Sequence, residues 1–154
     1  MIKKPEKPGL YWARLDYYNS WTHIIKIKGK SPFLSYIAWD LRYPLNNSIE
    51  RNGVTETNKK NNFIDVDPVK FIFAKEIKQN YNRLSEINIT ENGLYWVIVE
   101  KPNENIFSTD VSLAYLSGKV PYLSCFLWNI KDNSKKQILD VSNLHFLKKI
   151  KYPE

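Results

Sequence analysis

The residues able to carry chemistry are few: His23 and His145, the lone Cys125, the carboxylates Asp65 and Asp67, and a ladder of lysines at Lys26, Lys28 and Lys30. A metal site needs several ligands that converge, and the two histidines fall at unrelated points of the chain. His23 alternates with Ile25 and Ile27 in WTHIIKIKG, the setting of a half-buried, hydrogen-bonded imidazole. Asp65 and Asp67 lack the further oxygen ligands a hard cation requires. Asp67, like Asp140, reads instead as the cap of a turn before a strand. Cys125 sits in the apolar run YLSCFLWN and is expected to be a small buried hydrophobe. The chain has no Gly-rich phosphate loop, nucleophile elbow or His-Glu metal motif. A non-enzymatic protein with no cofactor and no metal is expected.

The lysine ladder is the better lead. Lys26, Lys28 and Lys30 share one side of a single extended stretch, Arg14 lies on a neighbouring one, and Arg42 ends a third. Lys3, Lys4 and Lys7 add a basic arm, and tyrosines 11, 17, 18, 36 and 43 are interleaved with the cations. Cations for phosphate and flat rings for stacking are what a nucleic-acid or nucleotide reader needs. The candidate binding residues are therefore Lys26, Lys28, Lys30, Arg14, Arg42, Tyr11, Tyr36 and Tyr43. The net charge of +7 is also lopsided: residues 1–84 hold 15 Lys and Arg against 8 Asp and Glu, and residues 85–154 hold 8 of each. One basic region and one neutral region suit an anionic partner. The alternative is a host protein, met by exposed aromatics and the 46–62 loop, with the chain acting as an inhibitor or assembly adaptor.

These residues must be positioned by elements that the chain writes twice. PGLYWARLD (8–16) recurs as NGLYWVIVE (92–100), and GKSPFLSYIAWDLR (29–42) recurs as GKVPYLSCFLWNIK (118–131). A third block, DPVKFIFAKEI (67–77), aligns with DVSNLHFLKKI (140–150). Three blocks in one order are the mark of an internal duplication. The first block alternates with period two and is rich in aromatic and β-branched residues, as a strand should be. Gly-Lys-x-Pro marks a turn into the next strand, where Phe33, Ser35, Ile37, Trp39 and Leu41 share the expected core face. The first copy carries an Asn-rich insertion at 46–62, with Asn52-Gly53 as a turn signal.

The expected fold is mainly β with little helix: two tandem, pseudo-symmetric antiparallel meanders, each curled into a small open barrel or half-barrel. The first repeat takes residues 1–79, a linker or short helix 80–91, and the second repeat 92–154. The second copy loses charge, with Tyr115 and Ser117 where the first has Lys26 and Lys28, and Ile98 where it has Arg14. It is expected to pack, to form a homodimer, or to wall a cleft.

The order Gly-x-Tyr-Trp, a Trp-led strand, an aromatic strand and a closing Phe-x-x-x-Ile resembles small SH3-like β-rich domains of phage and mobile-element proteins. The resemblance implies an SH3-like barrel in each copy and an accessory, anti-defence-like binding role, and brings no catalytic motif. No apolar run reaches the roughly 20 residues of a membrane span, and the N-terminus lacks the apolar core of a signal peptide. With one cysteine, these features give the expectation of a cytoplasmic protein with no membrane contact.

Overall fold

The computed structural model of the chain describes residues 4–45, 48–51, 54–57, 70–100, 107–119, 121–131 and 133–153. It divides into two units, Met1–Lys78 with Tyr152–Glu154, and Gln79–Lys151. Both are built from antiparallel β-sheet, and a 3₁₀ turn spans Val141–Asn143. No described helix is long and apolar enough to cross a membrane.

Unit 1 holds β1 (Gly9–Leu15), β2 (His23–Lys30), β3 (Phe33–Asp40), β4 (Ser48–Arg51), β5 (Val54–Thr57) and β6 (Phe71–Ile77). Unit 2 holds β7 (Gly93–Glu100), β8 (Phe107–Lys119), β9 (Tyr122–Trp128), β10 (Lys135–Ile138) and β11 (Leu144–Ile150). The first sheet runs β3-β2-β1-β6 and the second β10-β9-β8-β7-β11, while β4 and β5 pair as a separate hairpin. The 46–62 insertion thus contains paired strands rather than plain loop.

This order departs from a simple meander, and neither sheet closes into a barrel. In a meander the last strand would lie beside the third, but β6 returns to β1 and β11 returns to β7. Three hairpin-linked strands with the last strand folded back beside the first is the Greek-key arrangement, to which unit 2 adds β10. In each unit the first strand is therefore paired on both edges. Each sheet stays open, ending at β3 and β6 in one and at β10 and β11 in the other.

Pairing follows one plan in both units. Tyr11 opposes Ile25 and Trp12 opposes Ile24, as Tyr95 opposes Ala114 and Trp96 opposes Leu113. Ile24 pairs Trp39 and Lys30 pairs Phe33, as Leu113 pairs Trp128 and Lys119 pairs Tyr122. The β1–β6 and β7–β11 ladders each shift register beside the strand's Trp, at a bulge. Tyr11 Oη donates to the Lys7 carbonyl at 2.9 Å, and Tyr95 Oη to the Glu91 carbonyl at 2.8 Å.

The hydrophobic pattern has its own explanation in burial. Tyr11, Ala13, Ile25, Ile27, Tyr36 and Phe73 form one core, with Leu34 and Ala38 packed against it. Its counterpart gathers Tyr95, Val97, Ala114, Leu116, Cys125, Leu127, Leu144 and Phe146. The opposite face is buried as well, since Trp12, Ile24, Ile37 and Trp39 are all shielded, as are Trp96, Leu113 and Trp128. Tyr152 stacks on Trp12 at 4.7 Å between ring centres, and Tyr81 on Trp96 at 5.1 Å. The expected core face of β3 is therefore half right: Ile37, Trp39 and Leu41 are buried, but Phe33 projects into solvent. A strand covered on both faces has no single core side for alternation to report.

Residues 78–92 contain no helix. Asn82 and Ser85 close a turn, the Ile87 amide donates to the Phe146 carbonyl at 2.9 Å, and Ile87 and Ile89 pack against the unit 2 core. Asn, Ile and Thr are weak helix formers, and the apolar pair contributes more as an inward-facing strap than as a helix. Asp140 caps the 3₁₀ turn, its Oδ1 accepting the Ser142 amide at 3.0 Å. Asp65 and Asp67 lie outside the described residues, as does Lys3.

Candidate functional site

The candidate residues separate into three places. Lys26, Lys28 and Lys30 stand at the β2–β3 hairpin end of unit 1. Register puts Lys26 opposite Ile37, Lys28 opposite Ser35 and Lys30 opposite Phe33, so all six share one sheet face. Alternate residues along a strand are spaced by about 6.7 Å, which makes the lysines an evenly stepped row. Lys26 is half-buried, Lys28 and Lys30 are exposed, and Phe33 is 86% exposed. The turn is held by Gly29 at φ +102°, where a Cβ would come 2.5 Å from the Phe33 carbonyl oxygen, so only glycine fits without strain.

Arg14, Arg42 and Tyr43 stand at the other end of the sheet. Lys30 and His23 are seven residues apart on β2, or roughly 23 Å, so these cations are not continuous with the lysine row. Here the charges are engaged within the protein. Arg42 grips Asp40 with two bonds, Nε to Oδ1 at 3.0 Å and Nη2 to Oδ2 at 2.8 Å, and its amide also donates to Oδ1 at 3.0 Å. His23 Nε2 lies 3.4 Å from Asp40 Oδ2, and its Nδ1 lies 2.8 Å from Thr22 Oγ1. The Arg42 guanidinium covers the Tyr18 ring at 4.7 Å and the Tyr43 ring at 5.6 Å. Arg14 donates to the Tyr18 carbonyl and lies 5.5 Å from the Trp21 ring centre.

The electrostatics follow from this packing. Burial alone would raise the Asp40 pKa, but hydrogen bonds from His23 and Arg42 outweigh it and hold the carboxyl well below the usual carboxylate range. The same bond to Asp40 pushes Arg42 above its ordinary value, so this guanidinium stays charged. Around the committed charges, Tyr17, Tyr43 and Leu45 stay exposed.

Tyr11 and Tyr36 are in the third place, the core, and leave the candidate set. Both rings are buried, and Tyr36 Oη donates to the Pro5 carbonyl at 2.9 Å. Burial raises both phenol pKa values. Cys125 is buried too, and its thiol is pushed up to about 12 by that burial. Among the described residues, no group of three or more His, Cys, Asp or Glu could hold a metal ion.

Two residues escaped the sequence reading as surface features: Phe33, and Tyr122 at the matching position in unit 2, 87% exposed opposite Lys119. The signal was available. A ring directly after a two-residue turn lies at the end of the sheet, beyond the side chains that could cover it. No family model, curated protein or solved structure matches the chain.

Proposed function

We propose that this is a non-enzymatic binding protein made of two copies of one module, and that the hairpin end of unit 1 engages a nucleic acid. The observation that carries this is the row of Lys26, Lys28 and Lys30 sharing a face with the exposed ring of Phe33. Stepped cations suit a chain of phosphates, and an uncovered ring beside them suits a base. Unit 2 keeps only Lys119 of that row, with Ser117 and Tyr115 in place of the others. The charge-bearing role therefore belongs to unit 1.

A salt titration of a fluorescent oligonucleotide tests the proposal. Three phosphate contacts to a single strand predict a slope of log affinity against log salt of about −2. The Lys28→Glu, Lys30→Glu double variant should lose binding, and both residues are exposed enough to leave the fold intact. Salt-independent affinity, or none at low salt, would defeat it.

A second function has its own support at the far end. Tyr17, Tyr43 and Leu45 are exposed at the end of the sheet where Arg42 is paired with Asp40, and tyrosine and arginine dominate protein contact energies. On that reading the protein is an inhibitor or adaptor. Tyr17→Ala with Tyr43→Ala would remove a protein partner and leave oligonucleotide binding untouched.

A further inference from the structure

We propose that both β-hairpin tips, not only the basic one, are base-stacking contacts for single-stranded nucleic acid, with Phe33 and Tyr122 as the stacking rings. Lys30 and Lys119 would then be their phosphate partners. The inference rests on the nucleic-acid function proposed above, and adds to it a strand type and a role for unit 2.

The tips match in every respect that such a contact needs. Lys30 pairs directly with Phe33 across one strand pair, and Lys119 with Tyr122 across the other. Directly opposed side chains stand roughly 5 Å apart at Cβ, so each tip presents one cation beside one ring. Both lysines are exposed, and the rings are 86% and 87% exposed. Gly29 and Gly118 hold the two turns at φ +102° and +107°, so the backbone that carries each ring and its lysine has the same form in both tips.

What differs between the units sharpens the assignment. Lys26 and Lys28 are exchanged for Tyr115 and Ser117, yet the tip cation and the tip ring both remain. The ring itself passes from Phe to Tyr. Stacking needs only a π face, which Phe and Tyr both supply. Bases within a duplex already have both faces covered, so a protruding ring finds its partner on an unpaired strand. One ring per tip is too little apolar area to anchor the protein in lipid, and the adjacent ammonium meets a phosphate in either tip.

Fluorescence anisotropy with a labelled oligo-dT, and with a duplex of equal length, tests this on the full chain at low salt. Phe33→Ala and Tyr122→Ala should each weaken oligo-dT binding by about 5- to 150-fold without changing the salt slope. Tyr122→Phe should bind as the parent does, and the duplex should bind more weakly than the single strand. If Tyr122→Ala binds like the parent while Lys28→Glu with Lys30→Glu abolishes binding, this inference fails and the unit 1 function stands. Equal affinity for duplex and single strand also overturns it. If no oligonucleotide binds, and vesicles containing phosphatidylserine instead sediment the parent but neither alanine variant, both proposals fall.

Discussion

At the end of β3 the Asp40 carboxylate accepts the Arg42 amide at 3.0 Å, and at the end of β9 the Asn129 amide oxygen accepts the Lys131 amide at 2.9 Å. The turn is the same and the oxygen is the same. Beyond it the two units part. Asp40 also holds His23 and the Arg42 guanidinium, whereas the position of His23, opposite Ala13, is taken in unit 2 by Ser112, opposite Val97. The scaffold thus depends on backbone bonds and apolar packing that an amide serves as well as a carboxylate. The ionic cluster is an addition that one unit carries and the other omits. The same division holds at the opposite end, where the turn and the ring persist and two of three lysines do not.

The most forceful way to break this equivalence is to remove the paired tryptophans. Trp39 and Trp128 are both fully buried and occupy matching register positions, opposite Ile24 and Leu113. Replacement of either by Ala should cost about 3–5 kcal/mol, as large aromatic truncations in packed cores do. Hydrogen exchange resolved by strand is the measurement of choice, because a two-unit protein need not unfold in one step. Loss of protection should begin in β1–β3 for Trp39→Ala and in β7–β9 for Trp128→Ala. A large penalty at one site and a negligible one at the other would end the claim that the sheets are built alike.

The ionic cluster comes next. Asp40→Asn keeps the turn oxygen but strands His23 and Arg42, and should cost about 2–4 kcal/mol, discounted from a fully buried pair because the side chains retain some solvent. Asn129→Asp keeps the turn oxygen at a half-buried position and should change stability by about 0.5 kcal/mol or less. Installing the unit 2 set in unit 1, His23→Ser with Asp40→Asn and Arg42→Lys, should recover much of the loss, because the buried imidazole is removed and a flexible lysine can carry its ammonium out to water. The pH dependence has a definite sign. Asp40 has a folded pKa below its ordinary 3.8, so its contribution is complete above that value and disappears as pH falls through the folded pKa. A chemical-denaturation series from pH 5 down to pH 2 should be steep for the parent and flatter for Asp40→Asn.

These contrasts also show what a sequence can and cannot report. The strands and the Gly-Lys-x-Pro turn were legible because period-two alternation and turn glycines are local signals that recur in two copies. The Greek-key return of β6 and β11 was not, because pairing between distant strands leaves no periodic trace. Tyr11 and Tyr36 looked like stacking platforms since tyrosine serves equally as surface ring and core filler. What assigns them to the core is a carbonyl within reach of each hydroxyl, at Lys7 and Pro5. Lys26, Lys28 and Lys30 were found correctly as one row, but their separation from Arg14 and Arg42 needed the length of a strand. Phe33 was counted as core from its alternation with Ile37 and Trp39, and only its place at the sheet's end makes it a surface ring.

Smaller effects sharpen the comparison at the turns. Gly29→Ala and Gly118→Ala would each put a Cβ against a backbone oxygen, 2.5 Å from Phe33 and 2.8 Å from Tyr122, at positive φ. Each should cost about 1–3 kcal/mol, and the two values should agree closely. Thermal melts of the two variants suffice to compare them. A cost confined to Gly29 would mean that only the basic turn is held tightly, and would weaken the case for two equal tips.

The finest test uses a single oxygen. Tyr11→Phe and Tyr95→Phe each delete one hydroxyl and nothing else, from bonds to the carbonyls of Lys7 and Glu91, each four residues earlier in the chain. Each should cost about 0.5–1.5 kcal/mol, the net worth of one intramolecular hydrogen bond. The rings remain, so the contacts of Tyr11 with Phe73 and of Tyr95 with Phe146 are preserved. Their surroundings differ in charge: Glu76 raises the Tyr11 pKa, while Lys149 pulls down that of Tyr95 against the larger effect of burial. If the bond to the preceding carbonyl is what matters, the two penalties should match despite that difference. Amide exchange in the segment before each first strand, faster in the Phe variants than in the parent, is the readout. A penalty for one and none for the other would show that charge around the ring, rather than the shared bond, sets how that segment is held.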